Sequence, residues 1–329
     1  MHNTNPVYHC IIRQISMFNA KSKMINFSII IPVYNKAYAI PTLIKSLAEQ
    51  TYTHFEIIFV NDGSTDDSLQ LLIKETKKYK ALVNKFVILS QANHGVSRAR
   101  NHGILNAKNE YLCLLDADDF WQPDYLETLK SLINDYPDAA VFSLGHDVLL
   151  NNQKILPHNG LPIGYRGYIK NFFLASIRGD VINSSKVCIK KSALLTIKLF
   201  PENAILSEDL QVWCLLALKY KIATHLVRKV SIVKTIDHAR LSRVGHVPYP
   251  IIFFGQHTEL LTLSIRLFLF KIALAHVILS LSQENYYEAK KRSRAFKPIS
   301  YIGYMALNCL FFLPRFLLKK LLNRGKKST

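Results

Sequence analysis

Short, nearly continuous apolar runs alternate with amphipathic segments through the first 120 residues, and this alternation restricts the fold more than any other feature of the chain. Phe27-Ser28-Ile29-Ile30-Ile31-Pro32-Val33 precedes a helical pattern through Ile40, Leu43, Ile44 and Leu47. Residues 55–60 precede one that carries Leu69, Leu72 and Ile73, and residues 86–89 precede one spanning 96–107. Strands apolar on both faces and separated by helices predict an α/β fold, a mainly parallel sheet flanked by helices. Ligands of such sheets bind beyond the carboxyl ends of the strands. Three polar strand-to-helix connections reach that edge: 33–36, 61–66 and 93–97.

A fourth apolar run, Tyr111-Leu112-Cys113-Leu114-Leu115, ends in Asp116-Ala117-Asp118-Asp119. Three adjacent carboxylates repel one another unless a cation or a set of donors neutralises them. Hard oxygens suit Mn²⁺ or Mg²⁺, whose remaining positions phosphate and water fill. Acids at a strand end also cap helices, so the cluster alone leaves both roles open. Ser64-x-x-Asp67 fits a capping box, which accounts structurally for Ser64, Thr65 and Asp66. Asp62 comes too early for that role and can accept hydrogen bonds from a nucleobase or a ribose. Arg100 is either a packing cation or a diphosphate contact. Ser207-Glu208-Asp209 opens a later helical segment, where acids favour the helix dipole and Ser207 suits the N-cap.

Taken together, these segments resemble the inverting family 2 glycosyltransferases of bacterial surface-polysaccharide synthesis, which have the GT-A fold. The matching stretches are Ser28-Ile-Ile-Ile-Pro-Val-Tyr-Asn35, Glu56-Ile-Ile-Phe-Val-Asn-Asp-Gly-Ser-Thr-Asp66, Asn93-His-Gly-Val-Ser-Arg-Ala-Arg-Asn101 and Tyr111-Leu-Cys-Leu-Leu-Asp-Ala-Asp-Asp119. The resemblance implies that Pro32, Tyr34 and Asn35 line a nucleotide pocket and that Asp62 reads the base, with UDP-sugars the expected donors. It places Asp116 at the ribose or the sugar, Asp118 on the metal, Asp119 as an auxiliary acid, and Arg100 at the diphosphate or the loop around it. It gives one of Glu208 and Asp209 the role of general base, the match pointing to Asp209 with capping the alternative, and makes His238 a late ligand of the metal or the diphosphate. Many relatives have an arginine six residues after that aspartate, where this chain has Leu215. Residues 143–191 carry no legible motif and are expected to supply most acceptor contacts. The acceptor is expected to be a glycan or a lipid-linked hydroxyl. The alternatives are a nucleotide-sugar-binding protein without catalysis and a nucleotidyltransferase of similar sheet.

The formal net charge is +19, and eleven Lys or Arg residues with no acid lie between positions 289 and 329. Residues 299–313 form an apolar run too short to span a bilayer, and a lysine-studded apolar segment follows. Apolar surface with basic flanks predicts a helix lying on the inner membrane face, and hence a cytoplasmic, peripheral location; a core helix with a solvated basic tail and a membrane span are the alternatives. Residues 260–281 read as a helix packed on the domain. No nucleic-acid fold signature accompanies the basic charge, so nucleic acid is not an expected partner. Five scattered cysteines indicate free thiols. The expected organisation is a disordered extension over 1–23, with a natural start at Met17 or Met24, a catalytic domain over 24–235 and a helical region over 236–329.

Overall fold

The computed structural model describes residues 24–150, 153–234 and 245–328. The expectations for the first 23 residues and for His238 therefore lie outside the described residues. The expected alternation is present: β1 (Phe27–Val33), α1 (Ile40–Ala48), β2 (Phe55–Asp62), α2 (Ser68–Lys78), β3 (Phe86–Gln91), α3 (Val96–Asn106) and β4 (Tyr111–Leu114). β1 lies between β2 and β4 and is parallel to both, while β3 pairs in parallel with β2.

Beyond β4 the sheet becomes mixed. β9 (Val187–Lys190) runs antiparallel to both β4 and β6 (Ala139–Leu150). β10 (Lys221–Lys234) then pairs in parallel with β6, and β5 (Phe120–Trp121) closes that edge antiparallel to β10. Short strands β7 (Gln153–Ile155) and β8 (Arg166–Tyr168) flank β6 and β10. β6 thus points the same way as β4, and its last residues reach the same rim as the acidic cluster. Cys113 and Cys188 face each other across β4 and β9 as buried free thiols.

Alternate residues of each strand face opposite sides of the sheet. Ile29, Ile31 and Val33 pack with α1 residues Ile40, Leu43 and Leu47, and with α4 (Tyr125–Asp135) through Tyr125 and Leu129. Ile30 faces the other side, where α3, α7 (Glu208–Lys219) and the C-terminal helices share one apolar core. α5 (Phe172–Ala175) and α6 (Lys191–Thr196) border that core. α8 (Tyr249–Gln256) contributes Ile251 and Phe254, and α10 (Tyr286–Ala295) contributes Ala289. α9 (Leu263–Ser282) is long and apolar enough to cross a membrane by length and composition, yet Ile265, Phe268, Leu269 and Ala273 are built into this core. Ile265, Phe268 and Leu269 each contribute about 1.5–3 kcal/mol when fully buried. α11 (Tyr301–Cys309) and α12 (Arg315–Ser328) insert Leu307 and Leu318, while Ile302 on α11 stays 83% exposed and Phe312, in the turn Leu310–Phe312 between them, 87%.

Candidate active site

Hydrogen bonds between strand-to-helix connections assemble the rim. Asn35 has a left-handed backbone (φ 52°), which asparagine tolerates better than most residues. Its Oδ1 accepts from the Thr65 amide at 2.8 Å, while its own amide donates to Ser64 Oγ at 3.2 Å. The expected capping box does not form. Ser64 is drawn to Asn35 instead, and Asp66 Oδ1 accepts from the Ser68 amide at 3.0 Å, one residue inside the start of α2. Gly63 (φ 70°) passes so close to the β3 loop that a Cβ would lie 2.7 Å from the Asn93 nitrogen. Only glycine fits that approach.

Asp62 is 3% exposed, and its carboxylate is heavily engaged. Oδ1 accepts from Gln91 Nε2 at 2.8 Å and the His94 amide at 3.0 Å, and Oδ2 accepts from the Gly95 amide at 2.9 Å. Three of the roughly four acceptor positions of a carboxylate are thus used on the β3 loop. Pro32 ends β1 half-buried and Tyr34 is exposed just beyond it. The rim that carries Asp62 at the end of β2 carries Asp116 two strands away, roughly 10 Å at normal strand spacing.

The three acids of the cluster have distinct environments. Asp118 Oδ2 meets the Lys36 ammonium at 2.9 Å. Asp116 is half-exposed, and its Oδ1 accepts from Arg100 Nη2 at 2.8 Å. Asp119 is buried, accepting from the Val233 amide at 2.8 Å and from Ser185 Oγ. Burial, reinforced by Asp116 and Asp118, raises its carboxyl well above the usual range. Asp119 therefore ties the cluster to β10 and to the loop before β9.

Arg100 is 4% exposed, bridging Asp116 and Glu208, whose Oε1 lies 3.5 Å from Nη1, over the face of Phe200. Burial opposes its charge, but Asp116, Glu208 and Asp209 outweigh that effect and hold it firmly protonated. It sits beneath the carboxylates rather than in open reach of a phosphate. The Asn101 side chain, one residue on, donates to Phe200 O at 2.9 Å and Glu202 Oε1 at 3.0 Å, which fixes the approach to α7.

Asp209 lies in the first turn of α7 and lines the same cleft of about 230 Å³ as Asp116, Asp118 and Asp119. Burial, then Glu208, push its carboxyl up to about 7 against the pull of Arg100. Ser207 does not cap α7 with its side chain. It adopts a left-handed backbone (φ 62°) and turns the chain into the helix. Leu215 packs against the apolar core.

The rest of the cleft comes from His146, Val148, Pro157, Gly179, Asp180 and 183–185, together with the end of β10. These residues, with Lys36, Asn101 and Glu208, escaped assignment from sequence. Lys36 adjoins Asn35 in the loop after β1, and Glu208 stands in the Glu-Asp pair that opens α7, so both had a signal in the sequence without a role attached to it. Among the described residues, no group of three or more His, Cys, Asp or Glu gathers to hold a metal ion. The two cleft-lining carboxylates of Asp116 and Asp118 nevertheless suit a hard divalent cation, because Mg²⁺ takes only one or two protein carboxylates beside phosphate and water.

These features define an α/β protein with an acid-lined cleft at the carboxyl rim of its sheet, and residues 28–189 match the family model for Glycosyl transferase family 2. The chain carries that domain, in a mixed α/β GT-A-like fold. It is 36% identical over 114 residues to a putative glycosyltransferase, EpsH, of Bacillus subtilis (35% of this chain, 32% of EpsH). It is 36% identical over 143 residues to the poly(ribitol-phosphate) beta-N-acetylglucosaminyltransferase TarS of Staphylococcus aureus (42% of this chain, 23% of TarS). The matched segments thus span about a third or less of these relatives. The structure of S. aureus TarS 1–349 in complex with UDP-GlcNAc superposes with a TM-score of 0.68 at 19% identity, covering 92% of this chain and 88% of that one. The Pyrobaculum calidifontis mannosyltransferase PcManGT, solved with GDP-Man and Mn²⁺, gives a TM-score of 0.56 at 14% identity, covering 93% and 87%.

Proposed function

We propose that the protein transfers a sugar, with inversion, from a nucleoside diphosphate donor, UDP-linked in preference, to a hydroxyl of a glycan or lipid-linked acceptor in surface-polysaccharide synthesis. The observation that carries this reading is a single cleft lined by strand-end acids Asp116 and Asp118 and by Asp209, a carboxyl pushed up to about 7. The nucleotide is assigned to the rim of β1 and β2, against Pro32, Tyr34, Asn35 and Asp62. The family resemblance supports that placement. Asp62 acts there through the loop it organises, its remaining acceptor capacity facing the base.

Asp209 takes the proton of the acceptor hydroxyl as that oxygen bonds to the anomeric carbon. The bond from this carbon to the diphosphate oxygen breaks, the nucleoside diphosphate departs with the electron pair, and Asp209 later releases its proton to solvent. A base poised near the working pH contributes about 10²–10⁴-fold. Mn²⁺ or Mg²⁺ held by Asp118, with Asp116 beside it, would supply charge neutralisation for the leaving diphosphate. PcManGT, solved with Mn²⁺, supports a divalent ion. Arg100 holds Asp116 and Glu208 in place from below, so its part is to order the acids.

The exposed aromatic and aliphatic side chains of α11, α12 and the turn between them (Tyr301, Ile302, Phe312, Phe316) accompany Arg315, Lys319 and Lys320. This pattern suits an anionic lipid surface and supports a peripheral position at the inner membrane face, where lipid-linked acceptors reside.

Incubating the protein with a panel of UDP- and GDP-sugars, Mn²⁺ and n-octyl glycosides tests the assignment. Nucleoside diphosphate should appear in proportion to glycosylated product of inverted anomeric configuration. Asp209→Asn should abolish transfer and leave donor binding within a few-fold. Pyrophosphate release, or normal turnover by Asp209→Asn, overturns it.

A further inference from the structure

Among the described lysines only Lys186 is buried, at 1% exposure, and no carboxylate contacts its Nζ. That atom donates to the Asp180 carbonyl at 2.7 Å and lies 3.0 Å from His146 Nδ1. Burial lowers the pKa of the Lys186 ammonium to about 8 against the pull of Asp180, so at neutral pH it still has hydrogens to donate and no lone pair to accept with. His146 Nδ1 must therefore be the acceptor, and the proton of the neutral ring must reside on Nε2. The ring is held neutral by its surroundings: burial first, then Lys186, Lys234 and Arg228, lower its pKa to about 2.

His146 is itself buried, yet it lines the cleft shared with Asp209, Asp118 and Asn183. Its Nε2 makes no hydrogen bond among the described residues, whereas its Nδ1 is committed. Nε2 is not among the sealed-off unmatched polar atoms, so it opens onto the cleft, where an oxygen of a bound ligand can take the place of water as its acceptor. Topology identifies the ligand's side. β6 lies two strands beyond β4 in the order β4-β9-β6 and on the far side from β1, β2 and β3, where the nucleotide is assigned. What reaches His146 is therefore on the acceptor side of the transferred sugar.

We propose that His146, with its tautomer fixed by Lys186, donates its Nε2 hydrogen to an oxygen of the acceptor sugar and so orients the hydroxyl that Asp209 deprotonates. The inference rests on Asp209 being the base. His146 contacts the acceptor, and Lys186 is a positioning residue that acts through it. With Nδ1 occupied and Nε2 already protonated, His146 has no free lone pair and cannot serve as a second base.

Two measurements on the full chain test this, one of which needs no turnover. Long-range ¹H–¹⁵N spectra of the ring should show a protonated Nε2 and an unprotonated Nδ1 in the wild type and in Lys186→Gln, whose amide keeps a donor. Lys186→Met should show mixed tautomers. In assays with n-octyl glycosides as acceptors, His146→Leu should raise the acceptor KM by about 10- to 100-fold and leave the donor KM unchanged. His146→Gln, which restores an N–H near the Nε2 position, should recover most of that loss. A protonated Nδ1 in the wild type, an unchanged acceptor KM in His146→Leu, or an equal rise in donor KM overturns the proposal. Addition of the octyl glycosides should also move the His146 Nε2–H resonance, and if none of them moves it the contact does not exist. Normal transfer by Asp209→Asn instead removes the base assignment, a result separable from every His146 readout.

Discussion

Removing the charge of Asp209 should stabilise the protein while destroying its activity, and the stabilisation should depend on pH. The Asp209 carboxyl rises from 3.8 to about 7 on folding, chiefly through burial and the neighbouring Glu208. Ionising it in the folded state therefore costs stability. The sign follows from proton binding: between those two values the folded form holds a proton that the unfolded form has lost, so stability falls as pH rises. The cost is absent below about 4, grows through the window up to about 7, and is constant above it. A shift of just over three units corresponds to about 4 kcal/mol as an upper limit. Solvent reaches the partly exposed carboxyl from the cleft, which reduces this to about 1–3 kcal/mol. Asp209→Asn carries no charge to bury, so at pH 8 its Tm should exceed the wild type by about 3–8 °C. Near pH 4 the two should melt together. Differential scanning fluorimetry across that range, without ligand, measures the difference directly. A variant less stable than the wild type at pH 8, or a gain that does not change with pH, refutes the account of Asp209 as a costly buried base.

The same carboxyl should govern rate: kcat/KM of the wild type should fall tenfold per pH unit below about 7, because a protonated Asp209 cannot accept the hydroxyl proton. Glu208→Gln removes the like charge that helps to raise Asp209, so this acid limb should move to lower pH by about one unit in the same assay. Gly63→Ala should cost about 1–3 kcal/mol in denaturant unfolding, since its Cβ would meet the Asn93 nitrogen at 2.7 Å and its φ is 70°. Ile302→Glu with Phe316→Glu should abolish sedimentation with vesicles containing phosphatidylglycerol while octyl-glycoside transfer persists, and added salt should weaken wild-type binding in the same sedimentation assay.

The half of the site that was legible in the sequence is the half built from local pieces. Each connection after β1, β2, β3 and β4 joins a strand to the element that follows it, so its polar residues reach the rim by the geometry of the unit alone. Asp62, Asp116 and Asp118 could be placed there without knowing what packs beside them. The roles of their neighbours were less legible, because tertiary partners took them over. Ser64 matched a helix cap, but Asn35, 29 residues earlier, donates its amide to that hydroxyl. Arg100 read either as a packing cation or as a contact to the diphosphate or its loop, and only Glu208, 108 residues later, shows that it also forms an internal bridge.

The acceptor half was illegible for a different physical reason. Its wall is a product of strand order: β9 is inserted antiparallel between β4 and β6, and β6 and β10 carry His146 and Val233 to the same rim. No local period in residues 143–191 announces that insertion, because an apolar strand of four residues such as Val187–Lys190 fits either direction. The chemistry there is equally non-local. The donor character of His146 depends on Lys186, 40 residues away, and the grip of Asp119 on Val233 spans 114 residues. A nucleotide is bound by strand-end loops that recur from one such sheet to the next. The surface proposed to meet the acceptor exists only once distant strands have paired, so on that proposal short motifs carry the donor class and not the acceptor identity. It follows that exchanging the 179–185 loop together with His146 between relatives of this fold should change the acceptor accepted without changing the donor. Exchanging 61–66 and 93–97 should do the reverse.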